Sequence, residues 1–236
     1  GGIYTGPFVP LSSSAFSDTS ADTLAHGINN NISMIVSNSV FDANSAAYGG
    51  GGIYNPAGTL TVSRSSFSSN VAQNGGGINN GDLVALDNCT FSDNHADVGG
   101  GGIINYNTAH VTNGTFSGNS AEAGGGLANY QGTITLNNTI VAHSPSGNNC
   151  YLTITDGGGN LSYPDTSCPG INADPALGLL EDNGGPTWTR ALLPGSPAID
   201  GGHPAAPGSG GGACALTDQR GITRPQDGDG NTSAVC

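Results

Sequence analysis

The sequence predicts an all-β chain wound as a parallel β-helix. It is read as a solenoid of about six regular 25-residue coils with an irregular, capped C-terminal segment. Three observations predict it. First, a glycine followed by an apolar residue recurs with Ile3, Ile28, Ile53, Ile78, Ile103 and Leu127, at spacings of 25, 25, 25, 25 and 24. Second, Phe16, Phe41, Phe67, Phe91, Phe116 and Ile140 follow those anchors by 13 or 14 residues. Third, short runs such as "TLTVSRSSF" alternate apolar and polar residues, the period-2 mark of a strand with one buried face. No stretch carries a comparable 3.6-residue apolar stripe, and the repeat lacks the leucine lattice of leucine-rich repeats.

Each element of the coil has its own signal. The glycine runs, such as the four in "DVGGGGIINY" (97–106), mark a corner where one backbone approaches the next. Two residues past the first anchor come Thr5, Asn30, Asn55, Asn80, Asn105 and Asn129. Three past the second come Thr19, Asn44, Asn70, Asn94, Asn119 and His143. Stacked at the ~4.8 Å spacing of neighbouring strands, such asparagines form amide ladders, and asparagine tolerates the left-handed backbone of a sharp corner. The strand before each phenylalanine places Val9/Leu11, Met34/Val36, Leu60/Val62, Val84/Leu86 and Ala109/Val111 inward; in the sixth coil Ile134/Leu136 falls one residue out of step. Phe16, Phe41, Phe67, Phe91 and Phe116 are the expected core stack.

With no lysine, four arginines and a net charge of −13, the chain has no basic stripe for nucleic acid or an anionic membrane. No apolar run approaches the ~20 residues of a spanning helix, so no transmembrane segment is expected. No signal peptide is seen, and the opening "GGIY" falls in mid-repeat, as in a processed product. Five cysteines without metal-ligand spacing suit an oxidising compartment. Cys89 has the inward parity of a buried thiol, and the expected disulfides are Cys150–Cys168 and Cys214–Cys236.

The chain divides into regular coils (1–143), an insertion with a degenerate coil around "DGGGNL" (144–170), a terminal coil or cap (171–202) and a disulfide-closed tail (203–236). In the cap, Leu177, Leu179, Leu180, Leu192 and Leu193 are expected on the last rung; "HPAAPGSGGGA" (203–213) reads as flexible. The paired "GGGI" and "FDAN", "FSSN", "FSDN", "FSGN" beats resemble the repeats of polymorphic outer-membrane-protein passenger domains. The segment "NGGPTWTRALLPGSPAID…DQRGITRP" is similar to the tail of bacterial secreted choice-of-anchor Q domain proteins. Together the two resemblances span nearly the whole chain. They imply a right-handed parallel β-helix, export, and display on the cell surface or in the matrix, with adhesive roles. This chain departs from those families in carrying no outer-membrane barrel and in ending at Cys236, where that tail usually continues.

Candidate chemistry is sparse. Arg64 shares a column with Ser13, Asn38, Asn88 and Asn113, diagonal to Asp87, and is expected in a surface ion pair. Asp42, Asp82, Asp87, Asp93, Asp97 and Glu122 fall in different columns, as do His26, His95, His110, His143 and His203, so no catalytic residues are assigned. "DGDGN" presents Asp227, Asp229 and Asn231 at alternate positions, a calcium-type oxygen set, although Asp-Gly pairs also make ordinary turns and position 12 of a full loop lies past Cys236. The outward array Ser33/Ile35/Ser37, Thr59/Thr61/Ser63, Leu83/Ala85/Asp87 and Thr108/His110/Thr112 is too interrupted for ice binding. Sequons occur at Asn31, Asn88, Asn113, Asn137, Asn160 and Asn231.

The expected function is that of a secreted, extracellular structural or adhesive protein. No cofactor is required, calcium being the one candidate ion. Its partners are further copies of itself, stacked head to tail into a filament, or an extracellular glycan. The rival expectation is a polysaccharide lyase or hydrolase, or a glycan-binding module.

Overall fold

The computed structural model describes residues 3–4, 9–21, 27–210 and 212–226. Among these there is no helix; the chain winds as a β-solenoid of about six turns, its strands stacked in parallel sheets. The first sheet runs from Ile3–Tyr4 to Cys150–Tyr151, the second from Val9–Ser12 to Thr155–Asp156, and the third from Ala15–Ser17 to Ile171–Asn172. A fourth, narrower sheet holds Ser20–Ala21, Ser45–Ala46, Val71–Asn74 and His95–Gly99. An antiparallel pair, Leu177–Glu181 with Thr189–Leu192, follows the last rung.

Register follows from the repeat. Ile53 pairs with Ile78, Ile78 with Ile103 and Ile103 with Leu127, while Phe41, Phe67, Phe91 and Phe116 pair in turn. The phenyl rings from Phe16 to Phe116 stack at 5.0, 4.6, 4.5 and 4.6 Å, with interplanar angles of 6° or less. The last four of these rings are fully buried. The coil spacing brings them together, because any one-residue slip would send a whole strand's apolar set to the outside.

Two asparagine ladders run along the axis. At the exit of the first sheet, Asn30, Asn55 and Asn80 each donate from Nδ2 to the next Oδ1 at 2.7 Å, and Asn105 donates to Asn129 at 2.9 Å. At the exit of the third, Asn44, Asn70 and Asn94 donate to Asn70, Asn94 and Asn119 at 2.9, 2.8 and 2.8 Å. In this second ladder each Oδ1 also accepts a backbone N–H from the rung before, and each amide donates to a phenylalanine carbonyl. Such complete pairing is what permits a polar column in a dry interior.

The corners differ from expectation. The left-handed residues are not the ladder asparagines but two other columns. One is Ser13, Asn38, Arg64, Asn88, Asn113 and Asn138, with φ from 46° to 54°. The other is Asp18, Ala43, Ser69, Asp93, Gly118 and His143, with φ from 52° to 73°. The second column sits one residue before its ladder. Placing the kink there turns the chain and leaves the asparagine amide pointing inward.

That column also corrects the sixth coil. Phe116 pairs with Val141, not Ile140, so Ile134 and Leu136 are in step with Ala109 and Val111. His143 therefore belongs to the left-handed column, and Ser144 takes the asparagine place. Ser144 is too short to continue the ladder, and its buried hydroxyl has no partner among the described residues. Asn149, from the following insertion, supplies the missing amide: its Oδ1 accepts the Ser144 N–H at 3.3 Å.

The glycine run is a tight part of the winding. Gly100 has φ +66°, and a Cβ on Gly102 would lie 2.6 Å from the Gly126 carbonyl oxygen and 2.8 Å from the Phe116 ring. Only a residue without a side chain lets these backbones exchange hydrogen bonds, as Gly102 N–H does with Gly126 O at 3.1 Å.

The C-terminal end is closed by a disulfide rather than by leucines. Cys150 pairs in register with Leu127, in the first-anchor column, and its disulfide to Cys168 lies within the buried core. The degenerate coil is a genuine seventh turn on three sides, through Cys150–Tyr151, Thr155–Asp156 and Leu161–Tyr163. Of the leucines expected on that rung, Leu179 is 76% exposed and Leu192 and Leu193 are also on the surface, whereas Leu177 and Leu180 are half-buried; none of the five belongs to the core cluster. His203 and Gly212, in the segment expected to be flexible, are both tied to one rung residue: Asn138 accepts the His203 N–H at 2.7 Å and donates to the Gly212 carbonyl at 2.9 Å. Cys214 is buried and disulfide-bonded; Cys236, the partner expected for it, lies outside the described residues.

Asn94→Ala, which strips four hydrogen bonds from buried partners, is expected to lower unfolding free energy by about 3 kcal/mol, measured by urea denaturation. Replacing Cys150 and Cys168 together by serine should cost about 2–4 kcal/mol and expose the last rung, read as faster hydrogen exchange in Leu127 and Val141.

Candidate functional site

Three of the six singled-out carboxylates, Asp42, Asp82 and Asp87, are held by neighbouring rungs. Asp42 accepts from the Ser68 hydroxyl at 2.6 Å, and Asp82 from the Gly58 N–H at 2.7 Å and the Asn107 amide at 3.2 Å. Asp87 accepts from Asn88 and Asn113 at 3.0 and 2.9 Å. The ion pair expected between Arg64 and Asp87 does not form; the Arg64 N–H instead donates to the Asp87 carbonyl at 3.0 Å, and Arg64 acts on that carboxylate only through space. Asp93 pairs with Arg190 from the tail at 2.9 Å.

The histidines stay apart. His95 meets Ser120 at 2.9 Å and Asp97 at 3.5 Å, while His143 meets Asp174 at 3.5 Å. His110 is exposed on the second sheet, and His26 lies outside the described residues. The calcium-type residues Asp227, Asp229 and Asn231 also lie outside them. Cys89 is a buried thiol, as its parity predicts; burial pushes its pKa up to about 12, which makes it inert at neutral pH.

Two features were not legible as sites in the sequence. One is a clamp. The tail turns back along the corner between the second and third sheets, from the last rung to the third coil. Buried Gln219 accepts from the Thr90 hydroxyl and donates to the Thr187 hydroxyl, each at 2.8 Å, and Thr187 in turn donates to the Arg64 carbonyl at 3.2 Å. Arg224 donates to Asn88 Oδ1 at 3.0 Å and to the Thr217 carbonyl at 3.1 Å, and Asn88 Nδ2 donates to the same carbonyl. Asp218 folds the intervening turn by accepting the Arg220 and Ile222 N–H groups, both at 2.9 Å. The "DQRGITRP" segment is therefore a docking device; of the charges lining the cleft of about 450 Å³ between it and the third sheet, Arg190 pairs with Asp93 and Arg220 with Asp218. Of the sequons on this flank, Asn88 and Asn160 are buried, and Asn113 is bonded to Asp87.

The other feature is a row of tyrosines on the outer side of the first sheet. Tyr54 and Tyr151 share the second position of that sheet; Tyr106 and Tyr130 directly follow the ladder residues Asn105 and Asn129. Tyr106 and Tyr130 have ring centroids 5.9 Å apart, and Tyr130 and Tyr151 are 5.6 Å apart, with tilts of 35° and 46°. The Tyr130 ring reaches across the sheet to the glycine corner, where a Cβ on Gly99 would lie 2.9 Å from it. Beneath this roof Ile104 and Ala128, which point outward, are fully buried. Burial, then the neighbouring tyrosines, raises the phenol pKa of Tyr106 and Tyr130, so both stay protonated and can donate. The signal was available, since tyrosine follows the ladder residue in two successive coils.

No protein-family model, curated protein or solved structure matches this chain. The fold and the two surface features therefore stand on their own geometry.

Gln219→Ala should free the tail. Trypsin, which finds no lysine in this chain, is expected to cut the Arg220–Gly221 bond of the variant while sparing the parent, with about 1–3 kcal/mol lost from clamp stability. Burial raises the Asp87 pKa above its usual 3.8, outweighing the bonds from Asn113 and Asn88 and the charge of Arg224. The folded state then holds that proton more tightly than the unfolded chain. Its stabilising contribution is complete below the unfolded value and is lost as pH rises through the folded one. Asp87→Asn should flatten that part of the stability curve, measured by urea unfolding between about pH 3 and pH 7.

Proposed function

We propose that this chain is an extracellular β-solenoid that works by presenting its surface, as a structural or adhesive protein at the cell surface or in the matrix, and not by turnover. The observation that carries the reading is the tyrosine cluster on the outer side of the first sheet, where Tyr106, Tyr130 and Tyr151 of three successive coils touch one another and Tyr106 and Tyr151 are exposed. The carboxylates of the regular rungs support it, because those at Asp42, Asp82 and Asp87 hold one coil to the next and are committed to structure. A disulfide inside the core supports an oxidising compartment. The resemblance of the repeats and tail to exported surface proteins points the same way. Self-association along the solenoid axis is one form that such display takes.

The test is location and oxidation in the native source. Antibody labelling of intact cells should reach the protein without permeabilisation, and thiol mapping of the recovered chain should find Cys150–Cys168 oxidised. Recovery of the reduced protein from the cytosolic fraction alone would overturn the proposal.

A further inference from the structure

We propose that the cleft between the returning tail and the third sheet binds the free carboxyl terminus of an extended peptide whose last and third-from-last side chains are aliphatic. This site is separate from the tyrosine cluster, and it goes beyond the display reading without depending on it.

The first observation is an unpaired guanidinium edge. Three of the four arginines of the chain, Arg190, Arg220 and Arg224, line this cleft. Arg190 places Nε and Nη2 on Ser92 and Asp93, and Arg220 places the same two nitrogens on Asp218. Arg224 differs. Its Nη1 donates to Asn88 Oδ1 and the Thr217 carbonyl, whereas its Nε and Nη2 meet no partner among the described residues. Neither nitrogen is sealed from solvent, since Ser144 Oγ is the one buried, unpartnered side-chain atom among those residues. Burial pushes the Arg224 pKa down, and Asp218 and Asp87 oppose this only through space. The Nε–Nη2 edge is the one that grips a carboxylate through two parallel hydrogen bonds.

The second observation is a floor that turns from polar to apolar along the axis. Arg224 is pinned to coil four through Asn88. One coil on, Asn113 and Thr115 line the cleft. Asn113 Nδ2 is bonded to Asp87, which leaves its Oδ1 and the Thr115 hydroxyl to meet a peptide backbone. Two coils on, Ile140 stands outward because Val141 holds the interior place, and its column continues through Leu161 to exposed Ile171. Two rungs span about 10 Å, the length that three residues of extended chain cover at ~3.4 Å each. A carboxylate on Arg224 therefore brings the third-from-last side chain to Ile140. The last side chain meets Ile222, which is exposed on the cleft wall two residues before Arg224.

The same floor disfavours two other anions. An alkyl acid would leave the polar groups of coil five unpaired. A polyuronate would carry further carboxylates toward Asp200 and Asp218, which share the cleft.

The experiment is titration calorimetry of the whole chain with the N-acetylated hexapeptide Gly-Ser-Gly-Leu-Ser-Leu ending in a free carboxylate. Its C-terminal amide, a version with both leucines replaced by serine, decanoate and trigalacturonate complete the panel. The free acid should bind with a Kd of about 100 µM or tighter, and the amide and serine versions about tenfold more weakly. Arg224→Lys keeps the charge without the planar edge and should weaken the acid by about tenfold. Ile140→Thr, which gives coil six the residue type of Thr90 and Thr115 and leaves the clamp bonds in place, should weaken it by about fivefold. Trypsin resistance at Arg220–Gly221 reports that the tail stays docked. Should Arg224→Lys release it, the acid-to-amide ratio and Ile140→Thr decide. No binding of the free acid at about 1 mM, equal affinity for acid and amide, affinity unmoved by Ile140→Thr, or tighter binding of decanoate or trigalacturonate would each overturn the proposal. None of these outcomes bears on display, which cell labelling reads separately.

Discussion

Each coil of this protein must carry the right side chain at the same height as its neighbour, because the ladder asparagines and the phenyl rings each meet their own counterpart one layer away. An asparagine in the second ladder meets a like amide on the next rung, a backbone N–H on the previous rung and a phenylalanine carbonyl. Misplace the coil by one residue and all of these partners are lost together, while the phenyl stack turns outward. This constraint explains the composition. Small and amide-bearing residues dominate because they alone satisfy a narrow, stacked interior, and charged residues are few because the interior has no room for them.

The same constraint decided what could be seen in the sequence. Periodicity marked the anchors, the ladders, the inward pairs and the phenylalanine column, since each is a local pattern repeated. It failed where a function passes from one part of the chain to another. Ile140 looked like the sixth anchor because it is the apolar residue at the expected distance, yet Val141 is the one in register and Ser144 breaks the ladder. The repair comes from Asn149, five residues on, which no repeat could have pointed to.

The tail was misread for a similar reason. A leucine-rich segment after the rungs suggests an apolar lid, but the core is already closed by Cys150 and Cys168. What the tail supplies is polar: Gln219, Arg190 and Arg224 meet hydroxyls, carbonyls and amides spread over earlier coils. Only the winding brings those groups within reach, and their separations along the chain, from 98 to 154 residues, leave no local trace. The tyrosine row lies between these cases, with its residues in sequence view and its alignment evident only once the coils are stacked.

A solenoid in which each layer touches only the next would come apart piecemeal, from its ends or from any weak layer within. The returning tail changes that arithmetic. By tying the edge of the third coil, at Arg64 and Ser65, to the segment that leaves the seventh, it adds a long-range contact across layers that otherwise never meet. Opening any layer in between then strains a strap anchored on both sides of it. The array gains the all-or-none melting of a globular domain while keeping the repeat geometry of a rod.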